Sequence, residues 1–322
     1  MLRLLLPTGA LLIACFPVSA QVNQITIERP FLWEFKQPGS DTSSWLFGTI
    51  HVNDPNITRL HPQVQSAFDS STEAWFEIDF ANDATAQTQA ISLPKGRFLD
   101  DVLPPRLITR IDERLQKLSP LLTRGSLPEF HVVIWPLILA NLEAQVRYLG
   151  TAPLDLQLQQ AARQAGKTTG GLEDPVQQLK PLTQLPLSEQ VAFLQASLDV
   201  MDVDDAGNRR QLDRLIRLYA SGNEQELVTF LDEELHRPKI SDTLQEKIVE
   251  TLLIQRNHQM AQAIHEKQQA RQDAVLFIAV GTAHLVGEKS IPAVLTDLGY
   301  TVKRPAPAAV APQDKRTPGN LD

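Results

Sequence analysis

The sequence predicts an α/β fold of α+β-like character: a small mixed sheet made from N- and C-terminal strands, with a large helical insertion over about residues 100–270. Three observations lead there. Apolar runs of strand length sit near both ends of the chain, and stretches of helical periodicity fill the middle. The two end runs also say nearly the same thing. Trp45-Leu46-Phe47-Gly48-Thr49-Ile50-His51-Val52 is echoed by Ile278-Ala279-Val280-Gly281-Thr282-Ala283-His284-Leu285-Val286, each stopping at Gly-Thr-x-His. In each copy a buried strand delivers the chain, Gly is expected to permit a sharp exit, and a His is left at the strand's carboxyl end. Open α/β sheets bind ligands along that rim. Two copies in one context predict a single site assembled from both ends of the chain.

The elements follow in order. Phe31 to Phe35, the turn cluster Pro38-Gly39-Ser40-Asp41 and Ser44 to Ile50 read as a hairpin. Pro62 to Ser70 is helical, with Val64, Ala67 and Phe68 on one side, and Ala74 to Asp79 is a third strand. Pro104-Pro105 opens a helix carrying Leu107, Ile108, Ile111, Leu115 and Leu118 at helical spacing. Phe130 to Leu149 is more apolar and central. Ala152 to Ala165 places Leu154, Leu158, Ala161 and Ala165 on one face, and Gly166 is its C-terminal stop. Lys167 to Leu172 is a short strand. Helices run from about Pro175 to Leu235, with breaks near Pro186 and Gly207, and a last long helix spans roughly Ser241 to Ala270. The strand Ala274 to Val280, a short helix Pro292 to Leu298 and an edge strand Tyr300 to Val302 close the fold. Residues 304–322, rich in Pro and Ala, are expected to form a disordered tail.

The hydrophobic fraction of 43% and charged fraction of 21% are those of an ordinary globule. A net charge of −8 argues against non-specific nucleic-acid binding and against a polybasic membrane patch. Residues 1–20 read as a secretory signal: Arg3, an apolar run from Leu4 to Phe16, and small residues at Val18-Ser19-Ala20, with a mature chain starting at Gln21. The apolar run is too short for a stable membrane span. The expected location is periplasmic or secreted in a bacterium. Leu12-Ile13-Ala14-Cys15 also fits a lipobox, so a lipoprotein anchored through Cys15 is the alternative. Cys15 is the single cysteine, so beyond the leader no thiolate can act as nucleophile, and a metal would sit on His, carboxylate or backbone oxygen.

His51, Glu77 and His284 stand at or just beyond the ends of apolar strands. Two imidazoles and a carboxylate suit a divalent ion with positions left for water and substrate, which is hydrolytic chemistry. The bland alternative is that both histidines bond sheet-end backbone. Asp79, two residues on, shares a strand face with Glu77. Glu173 leaves a strand in the same manner, as a further ligand or base or as a helix N-terminal acid ahead of Pro175. Arg256, beside Asn257 in the last long helix, can neutralise Glu77 or Asp79, or grip a substrate carboxylate. His61, His131, His236, His258 and His265 lack a motif and read as solvated or locally bonded.

Taken together these residues resemble the TraB/GumN family, which is related to the TIKI-type secreted metalloproteases. The markers are Leu46 to Val52, Trp75 to Asp79, Leu154-Asp155-Leu156 with Ala161 and Gly166-Lys167, Gly170 to Glu173 with Gln177, Arg256 to Ala261, and Val280 to Gly287. The similarity spans about Phe31 to Val302, within a domain of residues 21–303. It implies an active site formed by the two G-x-x-H motifs and the strand-end Glu. His51, Glu77 and His284 would then hold a divalent transition metal, Mn or Co ahead of Zn, with Glu173, Arg256 and Asn257 as supporting members. The expected function is an exported metal-dependent hydrolase acting on a peptide or small envelope-derived substrate. The alternative is a non-catalytic protein that binds such a partner in the same cleft.

Overall fold

The structure, a computed structural model, describes residues 25–306. The leader with Cys15 and residues 307–322 of the expected tail lie outside that range. The hairpin is β1 (Leu32–Lys36) and β2 (Ser44–Thr49), followed by α1 (Pro62–Ser70) and β3 (Glu73–Phe76). Then come α2 (Phe80–Ile91), α3 (Leu99–Val102), α4 (Pro105–Leu118), α5 (Trp135–Arg147), α6 (Leu154–Gln164) and β4 (Thr168–Gly171). After these run α7 (Pro175–Thr183), α8 (Leu187–Ala206), α9 (Gln211–Ser221), α10 (Glu224–His236) and α11 (Asp242–Val249). A π-helical turn (Glu250–Ile254) leads into α12 (Gln255–Ala270), and β5 (Leu276–Gly281), α13 (Ile291–Asp297) and β6 (Thr301–Lys303) complete the fold.

The strands form one mixed sheet in the order β4-β3-β5-β2-β1-β6. β4, β3, β5 and β2 run parallel, so their carboxyl ends share one rim, while β1 is antiparallel to both its neighbours. β5 is buried along its whole length, as a central parallel strand must be. Its side chains alternate between two cores. Leu276, Ile278 and Val280 pack with residues of α9, α10, α12 and α13, such as Ile216, Leu227, Met260 and Leu295. Phe277 and Ala279 pack on the other face with Val64 and Phe68 of α1 and with Leu154 and Leu158 of α6.

The α/β class and the mixed sheet are as the sequence predicts, but the insertion is not a single body. α4, α5, α7, α8 and α11 build a separate core around Ile111, Trp135, Leu179, Leu194 and Leu244, whereas β4, α6, α9, α10 and α12 return to the sheet. Four smaller departures have local causes. α2 has no apolar stripe to announce it. Phe130 pairs with Ser92 in an isolated bridge, and Val132–Ile134 form a 3-10 turn, so α5 starts only at Trp135. Pro136 stands in its first turn, where a missing N–H is harmless. α6 buries Leu154, Asp155, Leu158, Gln159 and Ala162 and leaves Ala165 exposed, so its buried stripe is rotated to carry an acid inward. Arg304, expected in the tail, instead stacks over Phe31 and Trp33, 4.5 and 5.2 Å from the ring centroids, and donates to Pro30 O. Among the described residues no helix is long and apolar enough to cross a membrane.

Phe277 is fully buried, edge-on to Phe68 at 5.3 Å and tilted against Phe47 at 5.9 Å. Phe277→Ala should therefore cost about 3–5 kcal/mol, read from the urea midpoint at unchanged denaturant slope.

Candidate functional site

The rim gathers four polar side chains, each just past or at the end of a different parallel strand. His51 follows β2, Glu77 follows β3, Glu173 follows β4 and His284 follows β5. Past the strand ends Leu172 N–H donates to Phe76 O (2.8 Å) and Glu173 N–H to Glu77 O (2.9 Å), so the β3–β4 ladder continues to hold the two acids side by side. β3 itself stops at Phe76, short of the expected Asp79. Asp79 and Glu77 accordingly part company, and Asp79 pairs with Arg163 of α6.

Arg256 binds the two neighbouring carboxylates together. Its Nη2 lies 2.7 Å from both Glu77 Oε2 and Glu173 Oε2, and its Nε donates to Glu173 at 3.0 Å. The π-helical turn before α12 sets this arginine, and Nη1 donates back to Leu252 O within that turn. Burial opposes ionisation of Glu77, but Arg256 and the two imidazoles outweigh it and hold the carboxyl far below the usual carboxylate range. At Glu173 burial wins over Arg256, and its carboxyl titrates above the usual value. Asp174 caps α7, while the Glu173 side chain turns inward to Arg256.

The imidazoles are tethered through Nδ1. His284, fully buried, bonds Asn257 Oδ1 at 2.6 Å, and Asn257 Nδ2 donates to Lys289 O at 2.7 Å. His51 bonds Asp155 Oδ2 at 3.0 Å, and the Thr49 hydroxyl donates to Asp155 Oδ1. Sequence reasoning passed over Asp155 and Thr49 as site members. Asp155 could have been found three residues before the core residue Leu158, which places it on the packed side of α6. Burial and Arg256 hold His284 down to about 3. For His51 burial favours the neutral ring, but the Asp155 carboxylate outweighs it and raises the value above the ordinary 6.5.

Gly281 is the meeting point. A Cβ there would lie 3.0 Å from Glu77 Oε1, 3.6 Å from His51 Nε2 and 3.7 Å from His284 Cδ2. Its N–H donates to Glu77 Oε1 at 2.5 Å. Its backbone (φ −55°, ψ 134°) is open to any residue. The motif's glycines thus serve close approach and not a sharp exit, since a Cβ at Gly48 would come within 2.7 Å of Thr282 Oγ1. Beside Glu173 a cleft of about 360 Å³ opens, lined also by Asp79, Leu172 and Asp174. Among the described residues no three His, Cys, Asp or Glu side chains form a group that could hold a metal ion. His284 Nε2 is nonetheless buried without a hydrogen-bond partner, 3.8 Å from Glu77 Oε1.

Four of the other histidines are locally engaged or exposed. His61 caps α1 through Gln63 N–H, His236 bonds Asp232 O, His265 bonds the Tyr300 hydroxyl and His258 faces solvent.

Two predictions follow from these environments. Arg256→Met strands two buried carboxylates and should cost about 3–5 kcal/mol near neutral pH. The loss should shrink on acidification as the unpaired carboxylates take up protons. Without metal, the histidines should act in opposite directions. His284 titrates in the folded state at about 3, so only the unfolded chain gains its proton as pH falls through about 6.5, and stability declines from there toward pH 3. His51 titrates above 6.5 when folded; its contribution is complete below that value and is lost as pH rises through the folded pKa. In urea melts with a chelator, His284→Gln should flatten the acid decline and His51→Gln the alkaline one. Effects of one sign from both variants would contradict this.

The chain matches the TraB/PrgY/gumN family model over residues 31–304, a span that includes every side chain of the rim. It is 26% identical to Metalloprotease TIKI1 of Danio rerio, over 94% of this chain and 71% of that protein. It is 28% identical to Metalloprotease TIKI2 of Danio rerio, over 86% and 61%. With Metalloprotease TIKI1 of Homo sapiens the identity is 27%, over 94% and 68%. The matched region covers 61% to 71% of these relatives' own lengths. No solved structure matches the chain. From a family match over most of its length, the chain belongs to the TraB/PrgY/gumN family.

Proposed function

We propose that the protein is an exported, divalent-metal-dependent hydrolase acting on peptides, with His51, His284 and Glu77 as the groups that would hold the ion. One observation carries this reading: two imidazoles anchored through Nδ1 come together with Glu77 around Gly281, and one buried Nε2 has nothing to bond. Ligating histidines characteristically have their other nitrogen held by a carboxylate or carbonyl. The charge of the site supports it too. Glu77, Asp155 and Glu173, whose side chains are 11%, 4% and 5% exposed, share the site with the single guanidinium of Arg256. Metal-bound imidazoles are neutral, so in that state three carboxylates face one guanidinium, and a divalent cation offsets the excess. The relatives' name, metalloprotease, points the same way.

A bound divalent ion would supply Lewis acidity toward a carbonyl and a water of lowered pKa. The nitrogen and oxygen donors suit Mn or Co, which are the ions expected here ahead of Zn. The chain's own residues do the rest. Arg256 holds Glu77 ionised and fixes its orientation, and Glu173 steadies Arg256 from the cleft side. Asn257 and Asp155 hold the two rings. The cleft beside Glu173 is where an extended peptide would lie. The leader read at residues 1–20 supports export, to a periplasmic or secreted location, with a Cys15-anchored lipoprotein as the alternative.

The test is metal content of the purified protein together with cleavage of a peptide library in Mn, Co or Zn. Wild type should carry metal and cleave, and His284→Ala should lose both while keeping its far-UV circular dichroism. A His284→Ala protein with full metal and activity would sink the proposal. A wild type that binds peptides without cutting them under any metal would establish a binding protein instead.

A further inference from the structure

We infer that Asp155 and Asn257 are positioning residues that lock both rim imidazoles in one tautomer, protonated on Nδ1 and bare on Nε2. The role of that lock in metal binding rests on the proposed function; the tautomers themselves do not. The hydrogen-bond chains fix the protons by elimination. Lys289 O can only accept, so Asn257 turns Nδ2 toward it and is left with Oδ1 facing His284 Nδ1 at 2.6 Å. That nitrogen must therefore carry the proton. On the other side the Asp155 carboxylate can only accept. It takes the Thr49 hydroxyl on Oδ1 and His51 Nδ1 on Oδ2 at 3.0 Å, so this ring too is protonated on Nδ1. Both Nε2 lone pairs are then left for the space around Gly281.

The two anchors come from opposite sides of the sheet. Asp155 belongs to α6, packed on the face with Phe277, and Asn257 to α12, packed on the face with Ile278. Each reaches the same rim, so the ring orientations are set by helices on both layers and not by the strands that carry the histidines. A ring in the other tautomer would present an N–H inward and could not act as a ligand.

The experiment is nitrogen-15 NMR of the histidine rings in the metal-free protein, with Co(II) titration beside it. At a pH above the folded-state titration of His51, where both rings are neutral, wild type should show His51 and His284 both as the Nδ1–H tautomer. Asp155→Ala should move His51 alone toward Nε2–H and weaken Co(II) binding about 10- to 100-fold. Asp155→Asn should restore the wild-type signature, because the Thr49 hydroxyl can accept from the new amide while donating to Val280 O, 3.3 Å away. Should Asp155→Ala not fold, Asn257→Ala makes the same comparison on His284. A wild-type ring in the Nε2–H form, or a tautomer unmoved by loss of its anchor, overturns the inference whatever the metal result. Correct tautomers in a protein that binds no Co(II), Mn(II) or Zn(II) would refute the metal reading and leave the positioning assignment standing.

Discussion

Arg256 is the constraint on which the rim depends. Parallel pairing of β3 and β4 runs on past the strands and brings Glu77 and Glu173 side by side where water is largely excluded. Two such carboxylates repel unless a cation lies between them. Arg256 meets both, and a guanidinium suits the place because its planar fork offers several donors at once. Its position in turn depends on the π-helical turn, since one extra residue in that turn changes which side of α12 faces the sheet.

The second constraint is space. The sheet end is crowded because two motif strands, β2 and β5, lie adjacent with Gly48 opposite Val280 and Thr49 opposite Gly281. The offset of one residue lets the Thr282 side chain fill the space over Gly48, where its hydroxyl donates to Thr49 O at 2.8 Å. Over Gly281 the vacant Cβ position is surrounded by Glu77 and both histidines. One glycine makes room for the fold and the other for the site.

Much of this was legible in the sequence, for physical reasons. Apolar runs bounded by turn residues located the strands, and the repeated Gly-Thr-x-His marked their shared rim. Glu173 and Arg256 could be nominated, but each carried two readings, because a sequence gives no distance between β4 and α12. The role of glycine was misjudged for the same reason: close approach is a property of neighbours remote in sequence. α2 and the rotated stripe of α6 were hidden because their placement is set by tertiary contacts, which override local pattern. Asp155 was the costliest omission. Its spacing from Leu158 put it on the packed side of α6, but nothing local said that it would face a histidine of the loop after β2.

The two motif copies, near-identical in sequence, are unlike as environments. His284 sits in a 3-10 turn directly after β5, with none of its side chain exposed and a neutral amide behind it. His51 lies two residues beyond β2, its side chain 11% exposed, with a carboxylate behind it. The same difference separates their chemistry. Burial beside Arg256 keeps His284 free of a second proton, whereas Asp155 favours one on His51. A symmetric repeat has thus become an asymmetric pair through the partners that α6 and α12 bring to it: burial beside Arg256 favours the neutral ring at His284, and the Asp155 carboxylate favours the protonated one at His51.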